Sequence, residues 1–183
     1  MSNEPSRALR VDLIIALCAL VVSCLAAGAA VYQGHVIASQ LSVTVWPYVN
    51  FRESAGNAYV EVDVQNVGSG PAIIGSATFY VDGKPQSSLS RSLRTLGFKP
   101  QNGSTVTLTN LGPGAVIRSG DSVPLLRVDS KQFAALAADA QRRTRIEVCY
   151  CSMLQQCWHK ATGDDYPTQV HACDRSGVTA INT

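Results

Sequence analysis

Charge is what this 183-residue chain has least of. Charged residues make up 15% of it, against the roughly 25% usual for soluble domains, while hydrophobic residues reach an ordinary 46%. A chain that stays disordered needs the opposite balance, high charge and little apolar surface, so that class is excluded. The 15 Lys and Arg stand against 13 Asp and Glu, a formal net charge of +2. A general nucleic-acid binder needs a marked basic excess to neutralise phosphates, and this chain has none. Familiar catalytic signatures are missing as well. No Ser sits in a GxSxG nucleophile elbow, and the Gly68-Ser69-Gly70-Pro71 run lacks the Lys and helix start of a phosphate loop. No CxxC pair supports a redox motif. The length suggests one domain with an appendage, and no internal repeat interrupts it.

The shortage of charge is uneven. The twenty residues from Leu13 to Tyr32 carry none. At 1.5 Å rise per residue they make a helix about 30 Å long, the thickness of a bilayer's hydrocarbon core. Arg7 and Arg10 precede this run, partly offset by Glu4 and Asp12, and the first basic residue after it is Arg52. The basic flank should stay in the cytoplasm. Residues 1–12 are thus expected to be cytoplasmic, 13–32 a signal-anchor transmembrane helix, 33–40 a linker and 41–183 an exported domain. Two other readings use the same run. Ala27-Gly28-Ala29 has the small-x-small pattern of a signal-peptidase site. Val21-Val22-Ser23-Cys24 resembles a lipobox with Cys24 as the acylated residue, although apolar sequence continues past it. All three readings export the C-terminal part.

After Gln40 the pattern changes from continuous to alternating. Val60, Val62 and Val64 alternate with Glu61, Asp63 and Gln65, the mark of a strand with one wet face. Leu41, Val43 and Val45 suggest an earlier strand, ended or confined to an edge by Pro47, with Glu53–Gly56 as the hairpin connection. A turn cluster at 66–71 precedes AIIGSATFYVD, and Asp82-Gly83 marks a tight turn. Leu89, Leu93 and Leu96 fall at helical spacing. STVTLTN and GAVIRSG read as strands, and Pro124 marks SVPLLRV as an edge segment. DSKQFAALAADAQRR reads as a helix capped by Asp129 or Ser130, with Phe133, Leu136 and Ala140 on one side. TRIEVCYCS and QCWHKA are then two strands before a looser tail. About seven short strands at roughly ten-residue spacing predict an all-β domain with one or two short helices. The expected architecture is an antiparallel two-sheet sandwich, immunoglobulin-like first, with a jelly roll or open barrel giving a similar pattern.

Six cysteines divide into two in the apolar run, Cys18 and Cys24, and four downstream: Cys149, Cys151, Cys157 and Cys173. An even number in an exported domain favours disulfides, and four cysteines allow three pairings. Cys149 and Cys151 leave the same face of one strand. A hairpin with a five-residue loop sets Cys151 opposite Cys157, leaving Cys149 for Cys173; bridging Cys149 with Cys157 is the nearest rival. Read as ligands, Cys157, His159, His171 and Cys173 form a soft set for copper or zinc, but their spacing departs from the paired CxxC of common zinc modules. Other residue pairs have plainer readings. Asp164-Asp165 reads as a solvated turn, Trp46 and Tyr48 as core packing or an interfacial belt, and Arg142, Arg143 and Arg145 as a helix end favourable to the dipole.

QLSVTVWPYV, QNVGSGPAIIGSATFYVDGKP and VCYCSMLQQCW, after a short basic N-terminus and one membrane helix, resemble a family of uncharacterised bacterial membrane-anchored proteins. The resemblance implies a single pass through a bacterial inner membrane and a small β-rich, Cys-containing periplasmic domain. It implies no reaction, so no catalytic residue is carried over. The expectation is therefore not an enzyme but a tethered, disulfide-stabilised sandwich without a cofactor. Its partners would be the bilayer, through residues 13–32, and another membrane or periplasmic protein that it serves as an accessory or structural subunit. Periplasmic metal binding through the Cys/His cluster is the alternative.

Overall fold

The computed structural model describes residues 5–173 apart from Gln101, with residues 5–10, Ser42 and Val43 described by backbone only. Helix α1 runs from Pro5 to Thr44, 40 residues. Within it, Val11–Leu41 is one helix long and apolar enough to cross a membrane, with no buried share. Arg7 and Arg10 fall in its first turns, and their side chains lie outside the described part. The helix overruns the expected boundaries. The 33–40 segment is helical rather than a linker, and Leu41 to Thr44 belong to α1 rather than to a strand. Nothing in Gln33–Thr44 stops propagation: Gly34 costs about 1 kcal/mol, too little to end an established helix. The first proline after the helix start is Pro47, which drives Trp46 out of the helical region.

From Thr44 onward the chain forms a second compact unit. Its strands are β1 (Val49–Ala55), β2 (Tyr59–Asn66), β3 (Ala72–Val81), β4 (Lys84–Pro85), β5 (Thr105–Leu108), β6 (Val116–Ile117), β7 (Ser122–Asp129), β8 (Thr144–Cys151), β9 (Cys157–Ala161) and β10 (Thr168–Val170). Two helices interrupt them, α2 (Leu89–Thr95) and α3 (Lys131–Arg143). All pairings are antiparallel. One sheet has the order β1-β2-β7-β5, the other β10-β9-β8-β3-β4, with β6 also on β3. This is the A-B-E-D and G-F-C order of an immunoglobulin-type sandwich, with β4 as an added C′ strand. The usual bridge between strands B and F is replaced: β2 offers Val62 and Val64, and both β8 cysteines bond elsewhere.

The two inner faces supply the core, with Val64, Leu126 and Val128 from one sheet and Ile74, Val148 and Tyr150 from the other. Helix α3 carries the chain from β7 to β8, and so from the first sheet to the second. Ser130 caps it by accepting the Phe133 amide at 3.4 Å. Phe133 and Ala140 are buried, and Phe133 meets Phe98 edge-on at 5.5 Å. Burying a side chain of that size contributes about 1.5–3 kcal/mol. Leu136 rides at the margin, 36% exposed. Helix α2 buries Leu89 and Leu93 against the same core, with Leu96 just past its end.

Two turn expectations shift. Strand β1 extends to Ala55, so the hairpin connection is Gly56–Ala58 rather than Glu53–Gly56. Pro124 lies in β7, which stands between β2 and β5, but β5 reaches only Leu126–Asp129, so at Pro124 the strand is paired with β2 alone. A bulge makes it tolerable: Val62 faces Leu126 and Asp63 faces Pro124, so Leu125 is the extra residue and is buried.

The same bulge leaves Asp63 Oδ1 buried without a hydrogen-bond partner among the described residues. Burial first, and Glu61 second, push the Asp63 carboxyl above its ordinary range, against the pull of Arg52 and Arg127. A carboxyl raised in the folded state favours folding while protonated and loses that contribution as pH rises through its folded value. Asp63→Asn should therefore raise the denaturation midpoint at pH 7. The gain should shrink towards pH 4, and a constant difference across that range would refute the assignment.

Asn66 ends β2 fully buried. Its Oδ1 accepts the amides of Tyr48 (3.1 Å) and Gly68 (3.0 Å), and its Nδ2 donates to the carbonyls of Gly70 (2.8 Å) and Ile117 (3.0 Å). One side chain thus ties the entry to β1, the loop after β2 and strand β6 together. The glycines beside it are set by close approach. A Cβ at Gly70 would lie 2.0 Å from the Val45 carbonyl oxygen, and one at Gly68 2.3 Å from the Tyr48 nitrogen.

Candidate functional site

The β8–β9 hairpin holds most of the chemistry. Its loop, Ser152–Gln156, closes through the Ser152 amide on the Gln156 carbonyl at 2.8 Å. Ser152 Oγ accepts the amides of Leu154 (3.2 Å) and Gln156 (3.3 Å), and Gln155 reverses the chain at φ 61°. The 152/156 pair is hydrogen-bonded, so the next pair, Cys151 and Cys157, is the kind in which side chains come closest. Cys151 is bonded to Cys157 across 4.0 Å between Cα atoms, and Cys149 to Cys173 across 5.6 Å. Room for the second bridge comes from Gly75, at a register shift in β3: a Cβ there would lie 2.4 Å from the Cys173 Cβ. The two bridges touch, with Cys151 Sγ 3.6 Å from Cys173 Sγ. The sulfurs of Cys151, Cys157 and Cys173 all lie within 4.8 Å of one another. Cys149 and Cys157 are buried, whereas Cys151 and Cys173 are half-buried.

The four residues read as soft-metal ligands do not assemble. Cys157 and Cys173 are each bonded to another cysteine. His159 stands opposite Cys149 in the ladder, with Nε2 3.6 Å from Glu147 Oε2, and His171 is exposed in the bend after β10. Among the described residues, the group close enough to hold an ion consists of three sulfurs and no imidazole. Thiolates released from these bridges would be its donors.

Below the hairpin lies a polar buttress. Lys160 is only 3% exposed. Its Nζ donates to the Asp164 (2.8 Å) and Asp165 (3.1 Å) carbonyls and sits 5.5 Å above the Tyr48 ring. Asp164 Oδ2 accepts the Ala161 amide at 2.9 Å, so this carboxylate holds the turn. Tyr48 donates to the Asp165 carbonyl at 3.2 Å, and Trp46 packs edge-on against Tyr48 (5.5 Å) and Trp158 (6.5 Å). Both aromatics therefore join the Tyr150–Trp158 stack, although Trp46 stays 39% exposed. Burial pushes the Tyr150 hydroxyl up to about 12, and it receives the Val49 amide at 3.3 Å, joining the two sheets. The Arg cluster is ion-paired. Arg143 holds both Asp82 oxygens, Arg142 pairs with Asp139, and Arg145 with Glu147. The Arg143 hydrogen bonds hold the Asp82 carboxyl below its usual range.

The sheet edges differ in length. β10 has three residues, β4 and β6 two each and β5 four, whereas β1 has seven. Among the described residues β1 is bonded on one side only, to β2, and Asn50, Arg52 and Glu53 are exposed on it. A groove of about 280 Å³ runs beside it, between Asn50, Phe51 and Glu53 and the β9 end at Lys160–Asp164. A separate cavity of about 140 Å³ lies under α3 among Val62, Phe79, Leu126, Phe133 and Ile146, with Glu53 its one titratable lining residue. No protein-family model matches the chain, and no curated protein gives a significant match.

Proposed function

We propose that this protein is a membrane-anchored interaction module of the bacterial periplasm, an accessory subunit whose sandwich binds another envelope protein. The observation that carries this reading is β1, a seven-residue edge bonded on one side and flanked by a groove. Short edge strands resist pairing with other chains; β1 is the longest strand at the end of a sheet, while β3 is paired on its β4 side only at Ala72–Ile73 and Tyr80–Val81. An extended segment added to β1 would gain main-chain hydrogen bonds from the strand and register from Arg52 and Glu53. Chain order supports a tether: only Val45–Tyr48 separate α1 from β1. The basic residues Arg7 and Arg10 favour a cytoplasmic N-terminus, and two bridges in the sandwich suit an oxidising compartment. Affinity purification of the full chain from native membranes, with and without in-membrane crosslinking, should return a second envelope protein. Recovery of the chain by itself at every detergent condition would sink the proposal.

A further inference from the structure

We propose that Cys149, Cys151, Cys157 and Cys173 form a single thiol–disulfide exchange site, with dithiol proteins as its substrates and Cys151 as the sulfur that passes between the two bridges. Two observations place it. Cys151 Sγ and Cys173 Sγ, each from the half-buried cysteine of its bridge, are in van der Waals contact at 3.6 Å, and Cys157 Sγ lies within 4.8 Å of both. Thiol–disulfide exchange needs a thiolate able to reach a disulfide sulfur. Here any thiolate released at Cys151 already touches the second bridge.

The steps balance as follows. A thiolate of the incoming dithiol attacks Cys151 Sγ, on the less buried residue of its pair. The Cys151–Cys157 bond breaks, and its electron pair leaves on Cys157, which takes a proton from solvent. The dithiol's second thiolate attacks the mixed disulfide and expels Cys151 as a thiolate. The dithiol is oxidised to its disulfide and the protein is reduced by two electrons. Cys151 then attacks Cys173 Sγ, forming Cys151–Cys173 and breaking Cys149–Cys173. The electron pair goes to Cys149, which is protonated, with no further change in oxidation state. An input at the hairpin thus reaches the bridge that holds Cys173.

The test uses the full chain in detergent and the Cys157→Ser variant, which leaves Cys151 as a thiol beside an intact second bridge. After acid quenching and alkylation, chymotryptic cleavage at Tyr150 separates Cys149 from Cys151. The expected result is two linked forms, Cys149–Cys173 and Cys151–Cys173, within about tenfold of one another. Cys173 linked to Cys149 throughout, with Cys151 fully alkylated, would overturn the proposal. Wild-type protein given one equivalent of dithiothreitol supplies an independent reading that needs no variant to fold. The Cys151–Cys173 peptide should appear there with label on Cys149 and Cys157. Label confined, among the four sandwich cysteines, to Cys151 and Cys157 would refute exchange.

Discussion

Asn66→Ala is expected to cost about 3–5 kcal/mol of unfolding free energy, the largest effect of any single polar substitution in the sandwich. The reason is arithmetic on four groups, two carbonyls that are buried and two amides that are part-buried. The Tyr48 and Gly68 amides lose their acceptor, and the Gly70 and Ile117 carbonyls lose their donor. A net hydrogen bond is worth about 1 kcal/mol, but each buried group left unpaired costs about 1–3 kcal/mol. Relaxation and water entry recover part of that total. Asn66→Asp sharpens the point. It keeps the shape and the acceptor towards Tyr48 and Gly68, but turns an oxygen towards the Gly70 and Ile117 carbonyls. Equilibrium denaturation in urea should show both variants well below wild type at pH 7, with Asp no better than Ala. A loss under about 1 kcal/mol for Asn66→Ala would mean that the hub is not what joins β1, β2 and β6.

Removing the Cys149–Cys173 bridge should cost about 3 kcal/mol, judged from loop closure across a separation of 24 residues. Cys149→Ala with Cys173→Ala measures it directly. Gly75→Ala should approach the same loss by a different route. Its methyl would fall 2.4 Å from the Cys173 Cβ and 2.7 Å from its sulfur, so either the bridge or the β3 bulge must give way. If steric exclusion of the bridge is the cause, Gly75→Ala in the background without the two cysteines should add little. An undiminished penalty there would place its origin in the bulge instead. The Cys151–Cys157 bridge closes a much shorter loop, a separation of 6, so Cys151→Ala with Cys157→Ala should cost less.

Much of this architecture was legible because periodicity reports burial. Alternation at Val60–Val64 marks β2, and the Ser130 cap followed by Phe133 and Ala140 marks α3. Five residues between Cys151 and Cys157 suffice to put those two opposite each other in a hairpin. The end of α1 was not legible, since Leu41, Val43 and Val45 alternate like a strand and no breaker precedes Pro47. Here helix propagation overrides the pattern. Pro124 sits beside a bulge where β7 is paired with β2 alone, and both the bulge and the reach of β5 depend on partner strands. Asn66 looks like a turn former, and nothing in one sequence shows that its amide is satisfied on all sides. Lys160 is equally silent, because lysine is rarely buried and its acceptors are turn carbonyls. The site residues follow the same division. Covalent partners could be read from spacing, whereas the contact between the two bridges depends on how Gly75 lets the tail approach.

The most direct test of the working edge is site-specific photocrosslinking of the full chain in native membranes. A photoreactive residue would be placed at Asn50 or Arg52 on β1, and in separate experiments at Met153, the exposed tip of the β8–β9 hairpin. If β1 takes a strand from an envelope protein, the β1 positions should give a discrete adduct of a second protein, while Met153 gives none. Adducts at Met153 with none at Asn50 or Arg52 would contradict strand addition at β1.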